Sequence, residues 1–307
     1  MLGHRRGVAI ALAVLCILLG VASTATTQVT AAAQQANTPA PDLSGVAHYV
    51  ALGDSFAAGP FILPQRTDPI GCARSTRNYP ALVAQDLRVA EFTDVSCSRA
   101  VTGNMTAAQA VPLGSNPPQF DALRRDTDLV TVSIGGNDMG FADIVTTCGL
   151  MSVTDPLGAP CKRQATAGGS DVYAERIIAV APKIAGVLQG IRERSPNARV
   201  LLVSYLRLLP PAIGCWPIVP IARGDVPYLD GLHQQLNAVL AEQAGTHGAV
   251  FVDAYAASLG HDMCQAPSVK WVEGFIPTRT AFPIHPNAQG MRAVADLTLS
   301  TLSSSAR

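Results

Sequence analysis

Five short apolar segments, separated by helix-like stretches, restrict most strongly how this chain can fold. Each is a continuous run of apolar and β-branched residues, as in strands that are covered on both faces of a sheet. The strand candidates are residues 46–53, 91–97, 128–136, 198–206 and 248–254. The helix candidates are residues 78–88, 172–195, 226–246 and 287–303. Strands that alternate with helices predict an α/β fold in which helices cover both faces of a parallel five-stranded sheet.

Three segments that are rich in glycine and proline are interpreted as long loops. They are residues 56–77, 140–170 and 207–225, and each contains at least one cysteine. Each follows a predicted strand and would therefore leave the carboxyl edge of the sheet, where open parallel sheets bind ligands. Long loops in a compact domain are usually functional or disordered. Because disulfides would hold these loops in place, we expect them to form the walls of a pocket.

The chain begins with a basic stretch that is followed by an apolar run. His4, Arg5 and Arg6 precede apolar residues 7–21, and small residues follow them. This is the layout of a secretory signal peptide, and the run is shorter than the ~20 apolar residues that a membrane-spanning helix needs. An uncleaved membrane anchor is the alternative.

The domain boundaries follow from this interpretation of the N-terminus. We predict a signal peptide over residues 1–33, with cleavage between 22 and 33. A disordered lead-in over residues 34–45 and a single domain over residues 46–307 follow it. The mature protein would then be secreted, either to the extracellular space or to the cell envelope.

The cysteines agree with export to an oxidising compartment. The chain has seven, and setting aside Cys16 in the apolar run leaves six, an even number that is typical of exported disulfide-bonded proteins. Nearness in sequence suggests three pairs, although it does not fix the connectivity. These pairs are Cys72 with Cys97, Cys148 with Cys161, and Cys215 with Cys264. Free thiols and a metal site are the alternatives, but no clustered Cys/His spacing occurs, so we predict no metal and no cofactor.

The charge balance argues against nucleic acid as a partner. The chain has 22 Lys and Arg residues and 22 Asp and Glu residues, which gives a formal net charge of zero. No run of basic residues provides the electrostatic surface that nucleic-acid binding needs. We therefore expect no nucleic-acid partner.

Residues that could take part in catalysis follow three of the predicted strands at their carboxyl ends. Ser55 ends the first strand, Gly103 lies after the second, and Asn137 follows two glycines after the third. A serine hydroxyl can act as a nucleophile, and backbone or side-chain amides can stabilise an oxyanion. His285, just before Pro286 and the last helix, can supply a general base. Each residue alone would also fit an ordinary turn.

In this order, the short motifs resemble the four blocks of the SGNH, or GDSL-type, hydrolases, a family with secreted bacterial esterases and lipases. The motifs are Gly53-Asp54-Ser55, Gly103, Gly135-Gly136-Asn137-Asp138 and His285. The resemblance implies a three-layer α/β/α sandwich of the flavodoxin-like type and a carboxylic ester hydrolase. It also implies that Ser55 attacks an ester carbonyl with His285 as base. The oxyanion hole would consist of the backbone N–H groups of Ser55 and Gly103 and the side chain of Asn137.

One position departs from the pattern of that family. The aspartate that usually orients the histidine stands three residues before it, and here that residue is Phe282. Some secreted members use a main-chain carbonyl instead, so the resemblance predicts a Ser55–His285 dyad in which the Phe282 carbonyl accepts from the ring. Asp54 is too close to Ser55 to be assumed a replacement, and Asp262 is a distant alternative. With an unperturbed imidazole pKa of ~6.5, activity would rise between about pH 5.5 and 7.5.

Composition leaves the substrate class open. The apolar stretches 59–65 and 215–222 would either line an acyl pocket or fill the core beneath the loops. Together with the resemblance, they lead us to expect an esterase or lipase-like enzyme, a monomer that acts on a small-molecule or lipid ester. A phospholipase or carbohydrate deacetylase on the same fold, and a secreted binding protein without catalysis, are the alternatives.

Overall fold

The computed structural model describes residues 45–304, in which strands and helices alternate as the sequence predicts. The strands are β1 (His48–Gly53), β2 (Glu91–Asp94), β3 (Gln109–Val111), β4 (Gly114–Asn116), β5 (Leu129–Ser133), β6 (Arg199–Val203) and β7 (Val250–Val252). The helices are α1 (Ser55–Ala58), α2 (Tyr79–Leu87), α3 (Phe141–Ser152), α4 (Pro160–Ala165), α5 (Val172–Ile178), α6 (Ala181–Arg194), α7 (Asp225–Thr246), α8 (Ala254–Ala257) and α9 (Ala288–Ser304). Short 3₁₀ turns cover Ile70–Cys72, Thr102–Met105 and Gln119–Ala122.

Five strands form the central sheet in the order β2-β1-β5-β6-β7, and every neighbouring pair is parallel. The predicted five-stranded parallel sheet is therefore confirmed. The chain moves outward from β1 to β2 and then returns to add β5 on the other side of β1. This reversal makes the carboxyl ends of β1 and β5 the point at which open α/β sheets bind ligands.

The helices enclose the sheet in two packed groups. On one side α2 packs against α9, and in the other group α5 and α6 pack against α7. All five residues of β5 are buried, as are the last four residues of β6. Burying one large aliphatic side chain in such a strand stabilises the fold by about 1.5–3 kcal/mol of transfer free energy. This gain explains why the sequences of these strands are continuously apolar.

Three features differ from the sequence-based expectation. The predicted helix over 172–195 is two helices, α5 and α6, because Pro182 lies in the first turn of α6 and has no N–H to continue the preceding helix. The segment 140–170, which we expected to be a loop, contains α3 and α4. A small antiparallel hairpin of β3 and β4 also escaped prediction.

The three suggested disulfides are all formed. Cys72 bonds Cys97, Cys148 bonds Cys161, and Cys215 bonds Cys264. The first joins the segment after α1 to the segment after β2. The second joins α3 to α4, and the third joins the segment after β6 to the segment that precedes His285. Each bond thus fastens chain that leaves the carboxyl edge of the sheet.

The predicted signal peptide over 1–33 lies outside the described residues, and so does the predicted lead-in over 34–45, except for Gly45. Between residues 45 and 304, no helix combines the length and the apolar character that crossing a bilayer requires.

Replacing Gly53 with alanine should destabilise the fold at the end of β1. Gly53 has a φ of +146°, and an added Cβ would lie 2.5 Å from the Ser133 carbonyl oxygen. We expect Gly53→Ala to lower the free energy of unfolding by about 3 kcal/mol, as measured by urea denaturation. Gly168→Ala is the control, since a Cβ there meets nothing within 4 Å. Equal losses in both variants would contradict the steric argument.

Candidate active site

Ser55 and His285 meet at the carboxyl edge of the sheet although 230 residues separate them in sequence. Ser55 is the first residue of α1. It directly follows Asp54, which comes after β1 and is the N-cap of α1. The Nε2 atom of His285 lies 2.7 Å from the Ser55 Oγ atom, which is hydrogen-bond distance. The Nδ1 atom lies 2.8 Å from the Pro283 carbonyl oxygen. Because a carbonyl can only accept, Nδ1 carries the proton and Nε2 is left to accept from the serine hydroxyl.

The turn that presents Ser55 is fixed by hydrogen bonds to its backbone. The Gln119 side-chain amide accepts from the Gly53 N–H at 2.7 Å and donates to the Gly53 carbonyl at 2.9 Å. The Asp54 N–H donates to the Ser133 carbonyl at 2.9 Å, and the Asp54 carboxylate caps α1 by accepting from the Phe56 N–H at 2.9 Å. The sharp exit from β1 is thus held from both sides.

The segment that carries His285 is held by the segment 270–278. Glu273 donates its backbone N–H to the His285 carbonyl, and its own carbonyl accepts from the Ile284 N–H. Its fully buried carboxylate lies 2.8 Å from Lys270 Nζ and accepts from Asn287 Nδ2 at 2.8 Å. Burial raises the pKa of the Glu273 carboxyl, but these partners together outweigh burial and lower the pKa below its usual value.

The predicted role of Phe282 is wrong, because the carbonyl that faces the imidazole belongs to Pro283. The Phe282 carbonyl instead accepts from the His285 backbone N–H at 3.2 Å, which closes a tight turn. Ile284 has a φ of +63° in this turn. Because the Phe282 carbonyl is engaged by the backbone, the carbonyl of Pro283 is the one that lies beside the imidazole ring. The Phe282 side chain packs against the imidazole at 5.3 Å between ring centroids, and Phe56 packs against it at 5.2 Å.

Neither aspartate that was considered for a triad contacts the imidazole. The Asp262 carboxylate accepts from the Cys264 N–H at 2.9 Å and from Gln265 Nε2 at 3.1 Å, within its own turn. The Asp54 carboxylate is buried and accepts from the Tyr205 hydroxyl at 2.5 Å. Within residues 45–304 the His285 ring therefore has a neutral carbonyl partner and no carboxylate partner.

Asn137 lines the same cavity as Ser55, whereas Gly103 lines a separate depression. Ser55, Asn137 and His285 line one cavity, which we call the outer cavity. Gly103 lines a neighbouring depression with Thr102 and Lys183, so the structure does not place it in the outer cavity itself. It is the second residue of a 3₁₀ turn, where a backbone N–H has no acceptor within its own turn.

Hydrogen bonds tie the segment that carries Gly103 to the one that carries Asn137. Asn137 Nδ2 donates to the Ala100 carbonyl at 2.9 Å, which leaves the second proton of its amide for another acceptor. The adjacent Asp138 carboxylate accepts from the Thr102 N–H at 2.9 Å and from its hydroxyl at 2.6 Å. The two candidate oxyanion donors therefore lie on segments whose separation is fixed.

Burial changes the proton affinity of two groups in the site. Burial lowers the pKa of His285 to about 4, although the hydrogen bond to the Pro283 carbonyl raises it. Burial raises the pKa of Asp54 to about 7, against the hydrogen bonds from Tyr205 and Phe56. His285 is therefore neutral, as a general base must be, over the whole range near neutral pH. Across the part of the chain that the structure describes, no group of His, Cys, Asp or Glu residues is arranged to hold a metal ion.

Comparison with known proteins decides the family. Residues 51–293 match the GDSL-like lipase/acylhydrolase family. The chain belongs to that family. Lipase 2 of Streptomyces coelicolor is 40% identical over 259 residues, which cover 83% of this chain and 85% of that protein. A lipase of Streptomyces rimosus is 31% identical over 243 residues, which cover 79% and 81%. This GDSL-like protein is a carboxylic ester hydrolase.

Solved structures agree with this assignment. The phospholipase A1 from Streptomyces albidoflavus NA297 superposes with a TM-score of 0.69 at 29% identity, over 84% of this chain and 99% of that one. An extracellular lipase from Streptomyces rimosus superposes with a TM-score of 0.64 at 28% identity, over 84% and 98%. The predicted three-layer α/β/α fold of the GDSL-like hydrolases is confirmed.

Several residues that hold the site were not found from the sequence. Gln119 and Tyr205 reach the first strand's turn from distant segments, and no local pattern marks either one. Glu273 and Lys270 gave a weak signal as an i,i+3 pair of opposite charges in an otherwise apolar segment. The Pro283 carbonyl could be identified only from the path of the backbone.

The lowered pKa of His285 predicts an acid limb at lower pH than an exposed histidine would give. We expect the neutral ring to act as the base, so a lowered pKa keeps activity as the pH falls, until half of the rings are protonated near pH 4. We expect the midpoint of the acid limb of kcat/KM to lie closer to pH 4 than to 6.5, with the hydrolysis product quantified by chromatography at each pH. This replaces the expectation of a rise between about pH 5.5 and 7.5.

A variant at Asp54 provides the control. Asp54 also lines the outer cavity, and with a pKa of about 7 its titration could produce a limb of its own in the pH profile. In Asp54→Asn any limb near pH 7 should disappear while the limb near pH 4 remains. A limb centred near pH 6.5 in both proteins would show that burial does not shift His285.

Proposed function

We propose that this GDSL-like hydrolase cleaves carboxylic esters through a Ser55–His285 dyad and an acyl-enzyme intermediate. The contact between Ser55 Oγ and His285 Nε2 at 2.7 Å is the observation that carries the proposal. In this mechanism Nε2 takes the hydroxyl proton as Oγ attacks the ester carbonyl. The imidazolium then gives that proton to the leaving alcohol, and the acyl group stays on Ser55 until water attacks it with His285 again as base.

Two features of the site support this direction of proton transfer. The Pro283 carbonyl accepts from Nδ1–H and so orients the ring with Nε2 towards the serine. The aromatic rings of Phe56 and Phe282 pack against the imidazole and restrict its orientation. A carbonyl stabilises the imidazolium less than a carboxylate does, which agrees with the low pKa of His285.

We infer an oxyanion hole made of the backbone N–H groups of Ser55 and Gly103 and the side-chain amide of Asn137. Ser55 begins α1, so its N–H has no acceptor within that helix. Asn137 has one amide proton beyond the bond to Ala100. Gly103 would act from a segment that the hydrogen bonds from Asn137 to Ala100 and from Thr102 to Asp138 tie to Asn137.

The proposed substrates are esters with an apolar acyl group. Support comes from the relatives named as lipases and from the apolar side chains of Phe141, Leu208 and Leu236 in the outer cavity. The similarity to a phospholipase A1 keeps phospholipids as a second candidate class. Release of fatty acid from phosphatidylcholine vesicles, compared with hydrolysis of a soluble p-nitrophenyl ester, separates the two.

We also propose that the protein is exported. Six cysteines within residues 45–304 form three disulfides, which persist in oxidising compartments. The basic and apolar order of the first residues supports the same location.

A serine-reactive fluorophosphonate probe tests the nucleophile. The wild-type protein should be labelled covalently at one site, and Ser55→Ala should lose both labelling and hydrolysis of p-nitrophenyl butyrate. Ser98→Ala is the matched control, because this serine follows β2 at the same edge of the sheet and has no role in the proposed chemistry. Labelling that persists in Ser55→Ala would overturn the assignment of the nucleophile.

Removing the Asn137 amide tests the oxyanion hole. We expect Asn137→Ala to lower kcat by about 10²–10³ with little change in KM, because the amide would stabilise charge that develops in the transition state. Steady-state kinetics on p-nitrophenyl butyrate measures this, and thermal melting shows whether losing the bond to Ala100 unfolds the segment. Asn197→Ala, at an exposed position before β6, should leave kcat unchanged. A folded Asn137→Ala protein with full turnover would exclude this residue from the oxyanion hole.

A further inference from the structure

The pairing of β1 with β5 stops before the residues that carry the proposed chemistry. The ladder between the two strands ends where Gly53 pairs with Ser133. Both chains then turn out of the sheet at glycines in the left-handed region, with a φ of +146° at Gly53 and +116° at Gly135. Strand pairing alone therefore does not fix the distance between Ser55 and Asn137.

Tyr205, two residues after β6, bridges these two chains. Its hydroxyl donates to the Asp54 carboxylate at 2.5 Å and accepts from the Gly136 N–H at 2.8 Å. Asp54 directly precedes Ser55, and Gly136 directly precedes Asn137. One hydroxyl group thus joins the neighbour of the proposed nucleophile to the neighbour of the proposed oxyanion donor.

The ring of Tyr205 packs closely against the same two chains. It contacts the Phe56 ring edge-on at 5.0 Å between centroids, and Phe56 in turn packs against His285 at 5.2 Å. A Cβ added to Gly136 would lie 3.1 Å from the Tyr205 hydroxyl oxygen and from its ring, closer than a Cβ normally approaches. Glycine at position 136 therefore allows the tyrosine to come near enough for the backbone N–H to reach the hydroxyl.

The hydroxyl of Tyr205 is fully used by these two neighbours. The backbone N–H of Tyr205 donates to Asn237 Oδ1 of α7 at 3.0 Å, which holds the residue from outside the site. Burial, followed by the negative charge of Asp54, raises the pKa of the Tyr205 hydroxyl well above its usual value, so the hydroxyl keeps its proton. Although Tyr205 lines the outer cavity, that single proton is donated to Asp54 and is not offered to a substrate.

We propose that Tyr205 is a positioning residue that holds the Asn137 amide at the distance from Ser55 that the oxyanion hole requires. It raises the rate through Asn137 and does not touch the reacting atoms. This inference rests on the proposed function, because Asn137 must be an oxyanion donor for its placement to matter. A misplacement of about 1 Å in a catalytic group can lower a rate by about 10²-fold, so a bridge of this kind has a measurable effect.

Tyr205→Phe tests the proposal, because it removes the hydroxyl and keeps the ring. The Gly136 N–H and the Asp54 carboxylate then lose the partner that they share, and the two chains are free to shift. We expect kcat on p-nitrophenyl butyrate to fall by about 10- to 100-fold, with KM within about twofold of wild type. An unchanged kcat in the folded variant would overturn the proposal. A raised KM with an unchanged kcat would also overturn it, by showing that Tyr205 contacts the substrate.

Tyr255→Phe is the matched control. The Tyr255 hydroxyl is also buried and also donates to an aspartate at 2.5 Å, but this aspartate is Asp230, and the bond joins α8 to α7. Both variants should lower the melting temperature, whereas Tyr255→Phe should keep kcat within about twofold of wild type. Equal losses of kcat in the two variants would assign the effect to stability alone and contradict a positioning role.

A double-mutant cycle on kcat identifies the residue through which Tyr205 acts. If Tyr205 places the Asn137 amide, removing its hydroxyl should have little effect once that amide is absent. We expect Tyr205→Phe to lower kcat by no more than about twofold in the Asn137→Ala background, against about 10- to 100-fold in wild type. Losses that multiply in the double variant would show that Tyr205 acts independently of Asn137, and the proposal would be wrong.

Asp54→Asn keeps the test decisive if Tyr205→Phe does not fold. Asparagine has the shape of aspartate but only one side-chain oxygen, so it cannot accept from the Phe56 N–H and the Tyr205 hydroxyl with separate atoms. The same cycle with Asn137→Ala should again show a loss of kcat that disappears once the amide is absent. A loss of the same size in both backgrounds would count against the bridge.

The outcomes also separate this inference from the proposed function. If Asn137→Ala alone keeps full turnover, the proposed oxyanion hole is wrong and the positioning role is wrong with it. If Asn137→Ala loses turnover but folded Tyr205→Phe does not, only the positioning role is wrong, and the dyad and the oxyanion hole stand.

Discussion

The hydrogen bonds of the buried Asp54 carboxylate join the ends of three strands. Asp54 follows β1 and accepts from the hydroxyl of Tyr205, which follows β6, and that hydroxyl accepts from the Gly136 N–H after β5 at 2.8 Å. A buried carboxyl group without partners would be costly, whereas a satisfied one stabilises a single arrangement of its neighbours. Ser55 and Asn137 stand directly after Asp54 and Gly136. Their separation is therefore set by this network and does not depend on flexible loops.

The histidine reaches the same edge by a different route. His285 lies on a segment that pairs with residues 270–278 around the buried carboxylate of Glu273. The disulfide between Cys215 and Cys264 holds the chain just before residues 270–278. The Pro283 carbonyl orients the ring without contributing a negative charge. A carboxylate at that position would raise the pKa of the imidazole, so the carbonyl leaves a weaker base that stays neutral over a wider range of pH.

The sheet and its catalytic edge could be predicted from the sequence because they depend on local patterns. Continuous apolar runs mark strands covered on both faces, and the polar residues after β1 and β5 are adjacent to them in the chain. The helices in 140–170 were not predicted, because α3 contains β-branched residues and Gly149, and α4 has only six residues. The choice between Phe282 and Pro283 depends on one turn whose backbone angles no sequence pattern specifies.

Polar chemistry and apolar recognition come from different elements of this fold. The strand ends position Ser55 and Asn137, and their geometry is fixed by buried hydrogen bonds that tolerate little change. The apolar part of the outer cavity is built from Phe141 of α3, Leu236 of α7 and Leu208 of the chain after β6, where apolar residues of similar volume can replace one another at modest cost. Substitutions at these positions can therefore change the shape of the outer cavity while Ser55 and His285 keep their positions.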